Sequence, residues 1–167
     1  VNTGRDSGAG AGTQTSALFF GGSATLNESE TWNGSSWSEG NNLNTGRRSL
    51  GGLGVQTAAL AFGGTTGTFQ SLSEEYNGTS WSGGGVLNTA RRRAAGAAST
   101  VDAGLCFGGL ASPGSGQTAA AELYDGTSWT NTASMGTARY YLGGSGATQG
   151  DGFAMGGLLT GSASNYT

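Results

Sequence analysis

Apolar residues in this chain come in short runs, and the runs recur in phase. Ala17-Leu18-Phe19-Phe20 precedes Gly21-Gly22, and the phrase returns as Ala59-Leu60-Ala61-Phe62 before Gly63-Gly64, as Gly104-Leu105-Cys106-Phe107 before Gly108-Gly109, and as Gly152-Phe153-Ala154-Met155 before Gly156-Gly157. The doublets stand 42, 45 and 48 residues apart. Within each run two large residues flank a mostly small one, so one face of a period-two strand is bulky and the other slim, as packing between two neighbouring sheets requires. A recurrence of this length belongs to blades or to solenoid coils.

Downstream of each doublet an acid and an aromatic residue stand two apart and then close on Asx-Gly: Glu30-Thr31-Trp32-Asn33-Gly34, Glu74-Glu75-Tyr76-Asn77-Gly78 and Glu122-Leu123-Tyr124-Asp125-Gly126. Alternation ending in Asn-Gly or Asp-Gly predicts a strand entering a tight hairpin of type I′, with positive φ at both central residues. Trp37, Trp81 and Trp129 follow each glycine at a constant three residues, which places them on the returning strand.

Upstream, Arg5, Arg47, Arg91 and Arg139 open stretches dominated by glycine and alanine, with Gly10, Gly52, Gly96 and Gly144 always five residues on. Ordinary strands avoid so much glycine because it costs backbone entropy and gives a neighbour nothing to pack on. An innermost strand lining a narrow axial channel is the exception, since converging backbones leave room for little beyond a hydrogen or a methyl. Each copy then supplies four strands, and the chain divides into approximate repeats 5–46, 47–90, 91–138 and an incomplete 139–167, an all-β organisation in a single segment 1–167.

Composition narrows the picture further. There are 35 glycines and one proline in 167 residues, yet aromatic anchors at regular phase speak for a packed array over a low-complexity coil. No apolar stretch reaches the length of a membrane span and nothing at the start resembles a signal peptide, so membrane insertion is not expected. The net charge is −3, with no lysine and no histidine, which disfavours nucleic acid as a partner because counterion displacement needs a basic surplus. Arg47-Arg48 and Arg91-Arg92-Arg93 could be taken for a phosphate patch; their first members fill the repeated arginine slot, so pairing with Glu30, Glu74 or Glu122 is expected, with the extra arginines solvated.

Catalytic chemistry is hard to assemble. Without histidine, Ser-His-Asp and Cys-His arrangements are excluded and the usual transition-metal sites lose their commonest ligand. Glu30, Glu74 and Glu122 recur from copy to copy, which suits structural duty better than a singular glycosidase pair. The glycine-rich stretches lack the lysine and following helix of a phosphate loop. Asp102, Asp125 and Asp151 are hard oxygen donors without a calcium-loop pattern. Cys106 shares its slot with Phe19, Ala61 and Ala154 and is expected to be buried and inert. No catalytic, cofactor-binding or metal residue is assigned, and no cofactor is expected.

The order of strands, the glycine doublet, the Tyr or Trp before Asx-Gly, the later Trp and the terminal Arg together resemble the kelch repeat of β-propeller proteins. The resemblance spans essentially the whole chain and implies four-stranded antiparallel blades, about three and a half of them here. In its Gly, Asn and Thr content, and in phrases such as Tyr76-Asn77-Gly78-Thr79-Ser80-Trp81 and Leu87-Asn88-Thr89-Ala90-Arg91, the chain looks like the kelch-like arrays of marine bacteriophage structural proteins. The tyrosine and histidine ligands of kelch-type copper oxidases have no counterpart, so no oxidase activity carries across. The likeness implies a non-enzymatic structural or binding module of a virion or of the extracellular space, a fibre, appendage or decoration protein touching host-surface glycans or other virion subunits. A carbohydrate-active enzyme on a propeller scaffold and a cellular protein-interaction propeller are the alternatives.

The sequence opens at a repeat junction and stops within the fourth copy, where its acid-aromatic strand should be starting, and an open arc would leave two apolar faces in water. Closure is expected from further chain segments, from self-association, or from a compact ring with an incomplete last sheet. Function is expected where the copies differ most, in the segments after each doublet. Thr65, Thr66, Phe69, Gln70, Leu110, Pro113, Gln117 and Leu158 are the candidate binding positions. Arg47, Arg91, Arg139, the three glutamates and Trp37, Trp81 and Trp129 are expected to be scaffold, the tryptophans filling space between blades rather than stacking on sugars.

Overall fold

A computed structural model describes residues 1–114, 116–159 and 162–163. The chain folds into successive antiparallel sheets. The first contains Ala9–Thr13 (β1), Ser16–Phe20 (β2), Ser29–Trp32 (β3) and Trp37–Glu39 (β4) in spatial order β1-β2-β3-β4. The second repeats that order with Gly51–Val55 (β5), Ala58–Phe62 (β6), Ser73–Tyr76 (β7) and Trp81–Gly83 (β8). In the third copy Arg91–Arg92 (β9) precedes Ala95–Ala97 (β10), Gly104–Phe107 (β11), Leu110–Ala111 (β12), Gly116–Gln117 (β13), Ala121–Tyr124 (β14) and Trp129–Thr132 (β15). Here β10-β11-β14-β15 form the four-stranded sheet, while β12 lies between β13 and β9 in a small sheet of its own, which the repeat pattern does not announce. Tyr140–Ser145 (β16), Phe153–Leu159 (β17) and Ser162–Ala163 (β18) make the last sheet, three-stranded among the described residues.

The hairpins fall where the sequence places them, but their turn is of another kind. Trp32 pairs with Trp37, Tyr76 with Trp81 and Tyr124 with Trp129. In the first of these hairpins the Asn33 N–H donates to Ser36 O, leaving Gly34 and Ser35 as the central residues. Gly34, Gly78 and Gly126 have φ of 95°, 92° and 89°, whereas the Asx residues before them do not enter positive φ. Positive φ at the glycine alone departs from the expected I′ turn, which needs it at both central residues. The Asx side chain acts as a clasp: Asn33 Oδ1 accepts from the amides of Ser35 and Ser36 at 3.0 and 2.9 Å, and Asn77 and Asp125 do the same one and two copies later.

The first strands of successive sheets lie directly against one another, β1 beside β5, β5 beside β10, and β10 beside β16. This contact explains the invariant glycine of each Gly-rich stretch. A Cβ on Gly52 would lie 3.0 Å from Gly10 O, one on Gly96 2.8 Å from Gly52 O, and one on Gly144 2.5 Å from Gly96 O. The phenylalanine ending each apolar strand crosses the same junction. The Phe20, Phe62 and Phe107 rings would meet Cβ atoms on Gly52, Gly96 and Gly144 at 2.7 to 2.9 Å. Phe20 and Phe62 also stack edge-on against the next sheet's tryptophan, Trp81 at 4.9 Å and Trp129 at 5.4 Å between centroids.

The glycine doublets stitch the sheets a second time. The second glycine of each doublet donates its N–H to the carbonyl of the following copy's arginine: Gly22 to Arg47 (3.0 Å), Gly64 to Arg91 (2.8 Å) and Gly109 to Arg139 (2.8 Å). A Cβ on the first glycine, at Gly63 for example with φ 61°, would sit 2.5 Å from that same carbonyl. Only glycine permits both the left-handed backbone and the close approach.

Candidate functional site

The repeated arginines are structural in their geometry. Arg5 pairs with Glu30, Arg47 with Glu74, and Arg91 with Glu122 at 2.6 Å, each pair within one copy and withdrawn from solvent. The carboxylates are saturated by backbone as well: the Asn44 N–H reaches Glu74 Oε2 at 2.6 Å, and the Asn88 N–H reaches Glu122 Oε2 at 2.7 Å. Burial alone would raise the Glu30 carboxyl, but bonds from the Asn2 amide, the Arg5 guanidinium and the Thr3 amide hold it below its ordinary value. Arg139 Nη1 donates to Gly156 O at 3.1 Å. With both oxygens of each carboxylate accepting from internal donors, these glutamates are poorly placed to act as acid or base on a ligand.

Trp81 and Trp129 are buried and Trp37 is half-buried, resting on Trp32. Cys106 is fully buried and burial pushes its thiol up to about 12. Asp125 clasps a hairpin and Asp151 caps a short 3-10 turn together with Thr148; among the described residues no three acidic or sulfur ligands gather into a metal cluster.

The variable segments are bound up with their neighbours to different degrees. Thr65 is buried and exchanges both backbone bonds with Arg48, and Leu110 is buried opposite Arg92. Gln117 lies opposite Leu110, and Leu158 opposite Tyr140. Phe69 lies under the Arg92 guanidinium at 4.8 Å, and Gln70 folds back onto Thr66 and Thr68. Thr66 and Pro113 are exposed. The segment Leu158–Ser164 lies partly outside the described residues.

The cavity that draws on every copy lies elsewhere. Ser7, Ser49, Arg93 and Tyr141, each two residues after the repeated arginine, line a space of about 220 Å³ together with the residue that follows each of them. These four slots come together because the first strands are adjacent, and their backbones are bonded in series: Ser49 N–H to Ser7 O (2.7 Å), Arg93 N–H to Ser49 O (2.8 Å) and Tyr141 N–H to Arg93 O (3.1 Å). To aim its amide along this series each residue takes a left-handed conformation, with φ of 56°, 54°, 57° and 56°. A second cavity, of about 170 Å³, is lined by backbone-rich segments of the same four strands around Gly10, Gly52, Gly96 and Gly144.

The first of these cavities has a positive side. Arg48, Arg92 and Arg93 have no carboxylate partner among the described residues, in contrast to Arg5, Arg47 and Arg91. Burial lowers the Arg92 guanidinium from its ordinary value, and the nearby charges of Arg93 and Arg48 lower it further. The Arg93 guanidinium lies 4.3 Å from the centroid of the Tyr141 ring, and the Nε atoms of Arg92 and Arg93 are buried without a hydrogen-bond partner. Arg92 and Arg93 are thus half-buried and stacked on aromatic rings, where the sequence suggested solvated side chains, while Arg48 is exposed as expected. The arginine clusters were the available signal, but their neighbours at this cavity lie a full repeat away in sequence.

No family model and no curated protein matches this chain.

Proposed function

We propose that the chain is an arc of a β-propeller with kelch-like blades, serving as a non-enzymatic structural or binding module on a virion or outside the cell. The observation that carries the architecture is the cavity shared by all four copies, together with the glycine-on-glycine approach of successive first strands. Wedges that are thinnest at glycine and thickest at the tryptophan strand turn about an axis when they stack. The same junction elements, Phe over Gly and doublet onto Arg carbonyl, recur wherever one copy meets the next.

A binding role draws support from the internal saturation of the repeated glutamates and from the unpartnered arginines beside an open cavity. The virion setting draws support from the Gly-, Asn- and Thr-rich phrasing alone. In the assembled particle the outer faces of the arc meet further blades, from the same polypeptide or from another copy, or meet other virion subunits; host-surface glycans are the proposed ligands.

Native mass spectrometry and small-angle scattering of the 167-residue chain test the architecture. A curved particle, or an assembly of a few copies that Met155→Asp disrupts, is the expected outcome; a linear rod overturns it. Recovery of the protein in purified particles and glycan-array binding without turnover of the glycan test the role.

A further inference from the structure

The quartet Ser7, Ser49, Arg93 and Tyr141 departs from a habit that the doublets and hairpins keep; Ala24, Thr25 and Ala98 are the other described non-glycine residues with positive φ, and none of these recurs from copy to copy. At the repeated doublets and hairpins, left-handed backbone is given to glycine: among the described residues sixteen glycines have positive φ, and the four doublets after the apolar strands and Gly34, Gly78 and Gly126 of the hairpins are among them. At the slot two residues after the repeated arginine the backbone is left-handed in all four copies, yet the residues are Ser7, Ser49, Arg93 and Tyr141. In a chain with 35 glycines, a fourfold preference for strained side chains over glycine means that the side chains themselves are wanted. All four line one cavity, and they vary from copy to copy between two invariant slots, the arginine two residues before and the glycine three residues after.

We propose that this cavity binds a carboxylated sugar, with Arg93 receiving the carboxylate and the Ser7, Ser49 and Tyr141 hydroxyls engaging the sugar's hydroxyls. Arg93 brings a planar guanidinium with no carboxylate of its own and a buried Nε still without an acceptor. A guanidinium fork suits a carboxylate, which it can hold through two parallel bonds. Tyr141, 52 % exposed and packed beside that guanidinium, offers an aromatic face and a hydroxyl at the cavity rim. Arg48 and Arg92 add to the local positive potential within a chain of net charge −3, so an anion is drawn here rather than to the surface at large. The choice of a sugar rests on the glycan-contacting role proposed above; the anion site stands on the cavity alone.

Titration of the isotopically labelled 167-residue chain with sodium glucuronate at low ionic strength, followed by amide chemical shifts, tests this. Shifts confined to residues 7–8, 49–50, 93–94 and 141–142 are expected, with Arg93→Gln weakening binding at least tenfold and Arg93→Lys less. Glucose, succinate and inorganic sulfate, run as comparators, are each expected to bind at least tenfold more weakly. Absence of shifts, or shifts centred on residues 65–70 or 110–117, overturns the site. Equal binding of glucose overturns the role of the anion, and equal binding of succinate or inorganic sulfate overturns the sugar acid. The comparator arms use the unaltered chain, so they decide the matter even where an Arg93 variant does not fold. The oligomeric state is untouched by any of these results, so failure here is distinct from failure of the propeller architecture.

Discussion

Equivalent residues live in different surroundings at the interior junctions and at the outer faces of the stack. Phe20, Phe62 and Phe107 are at most 3 % exposed, whereas Met155 in the same slot of the last sheet is 39 % exposed. Leu18 and Leu60 are fully buried, and their counterpart Phe153 is 55 % exposed. At the other end, Leu43 and Leu87 are buried where Val1 is 49 % exposed, and Trp81 and Trp129 are buried where Trp37 is not. Burial is therefore conferred by the neighbouring sheet and not by the residue. Stability in such a stack resides largely in the junctions, as in other repeat architectures.

The sharpest way to break the comparison is to truncate the same slot in both settings. Phe62→Ala removes a ring wedged between Gly96 and Trp129 and is expected to destabilise by about 3–5 kcal/mol in denaturant unfolding. Met155→Ala, at the open face, is expected to stay within about 1 kcal/mol. Equal losses would mean that the last face is covered in solution.

Glycine gives the next largest contrast. Gly96→Ala forces a methyl against Gly52 O and the Phe62 ring, and about 2–3 kcal/mol of overpacking is expected. Gly10→Ala, with its nearest obstacle 3.3 Å away at Leu18 O, should fall below about 1 kcal/mol by the same measurement.

A smaller effect of opposite sign is expected at the cavity slot occupied by Ser49. Ser49→Gly relieves a left-handed side-chain residue, about 1–2 kcal/mol, against roughly 0.5–1 kcal/mol of added chain entropy. The net is a gain of about 0.5 kcal/mol, visible as a slightly higher melting temperature.

The smallest effect at neutral pH belongs to Cys106→Ala, because Ala61 and Ala154 fill that slot in other copies. Its signature is in alkali. The folded chain keeps the thiol proton up to about 12 while the unfolded chain loses it near the ordinary value of 9.0. The folded state then holds the extra proton, so stability is full below pH 9 and falls as pH rises toward 12. Cys106→Ala should remove the earlier part of that fall in pH-dependent unfolding. Burial and a bond to Glu75 also push the Tyr124 hydroxyl up to about 12, leaving a later fall from its ordinary value of 10.0.

Much of the sheet architecture was legible in the chain because its signals are local. A doublet of glycines, an Asx-Gly turn and a tryptophan three residues on each fix backbone within a few residues. The turn type was misjudged because Asn-Gly and Asp-Gly suggest left-handed backbone at both residues, while the paired Asx amides and the Asx side-chain clasp leave it to glycine alone. The β12–β13 hairpin went unseen because Leu110-Ala111 and Gly116-Gln117 are too short to show a period. The cavity quartet was invisible for a different reason: Ser7, Ser49, Arg93 and Tyr141 share no common residue type, only a place in the repeat.

The sequence by itself determined the units: four strands per complete copy, glycine where backbones meet, glutamate and arginine at matching phase, and one buried thiol. Only the tertiary structure decided which copy each contact joins, that arginine pairs within its own copy while its carbonyl takes the previous doublet, and that Ser7, Ser49, Arg93 and Tyr141 share one cavity. The physical reason is range. Turn chemistry and strand period are written in neighbouring residues, whereas a site assembled across junctions depends on how wedges stack, and that is set by packing between segments a whole repeat apart.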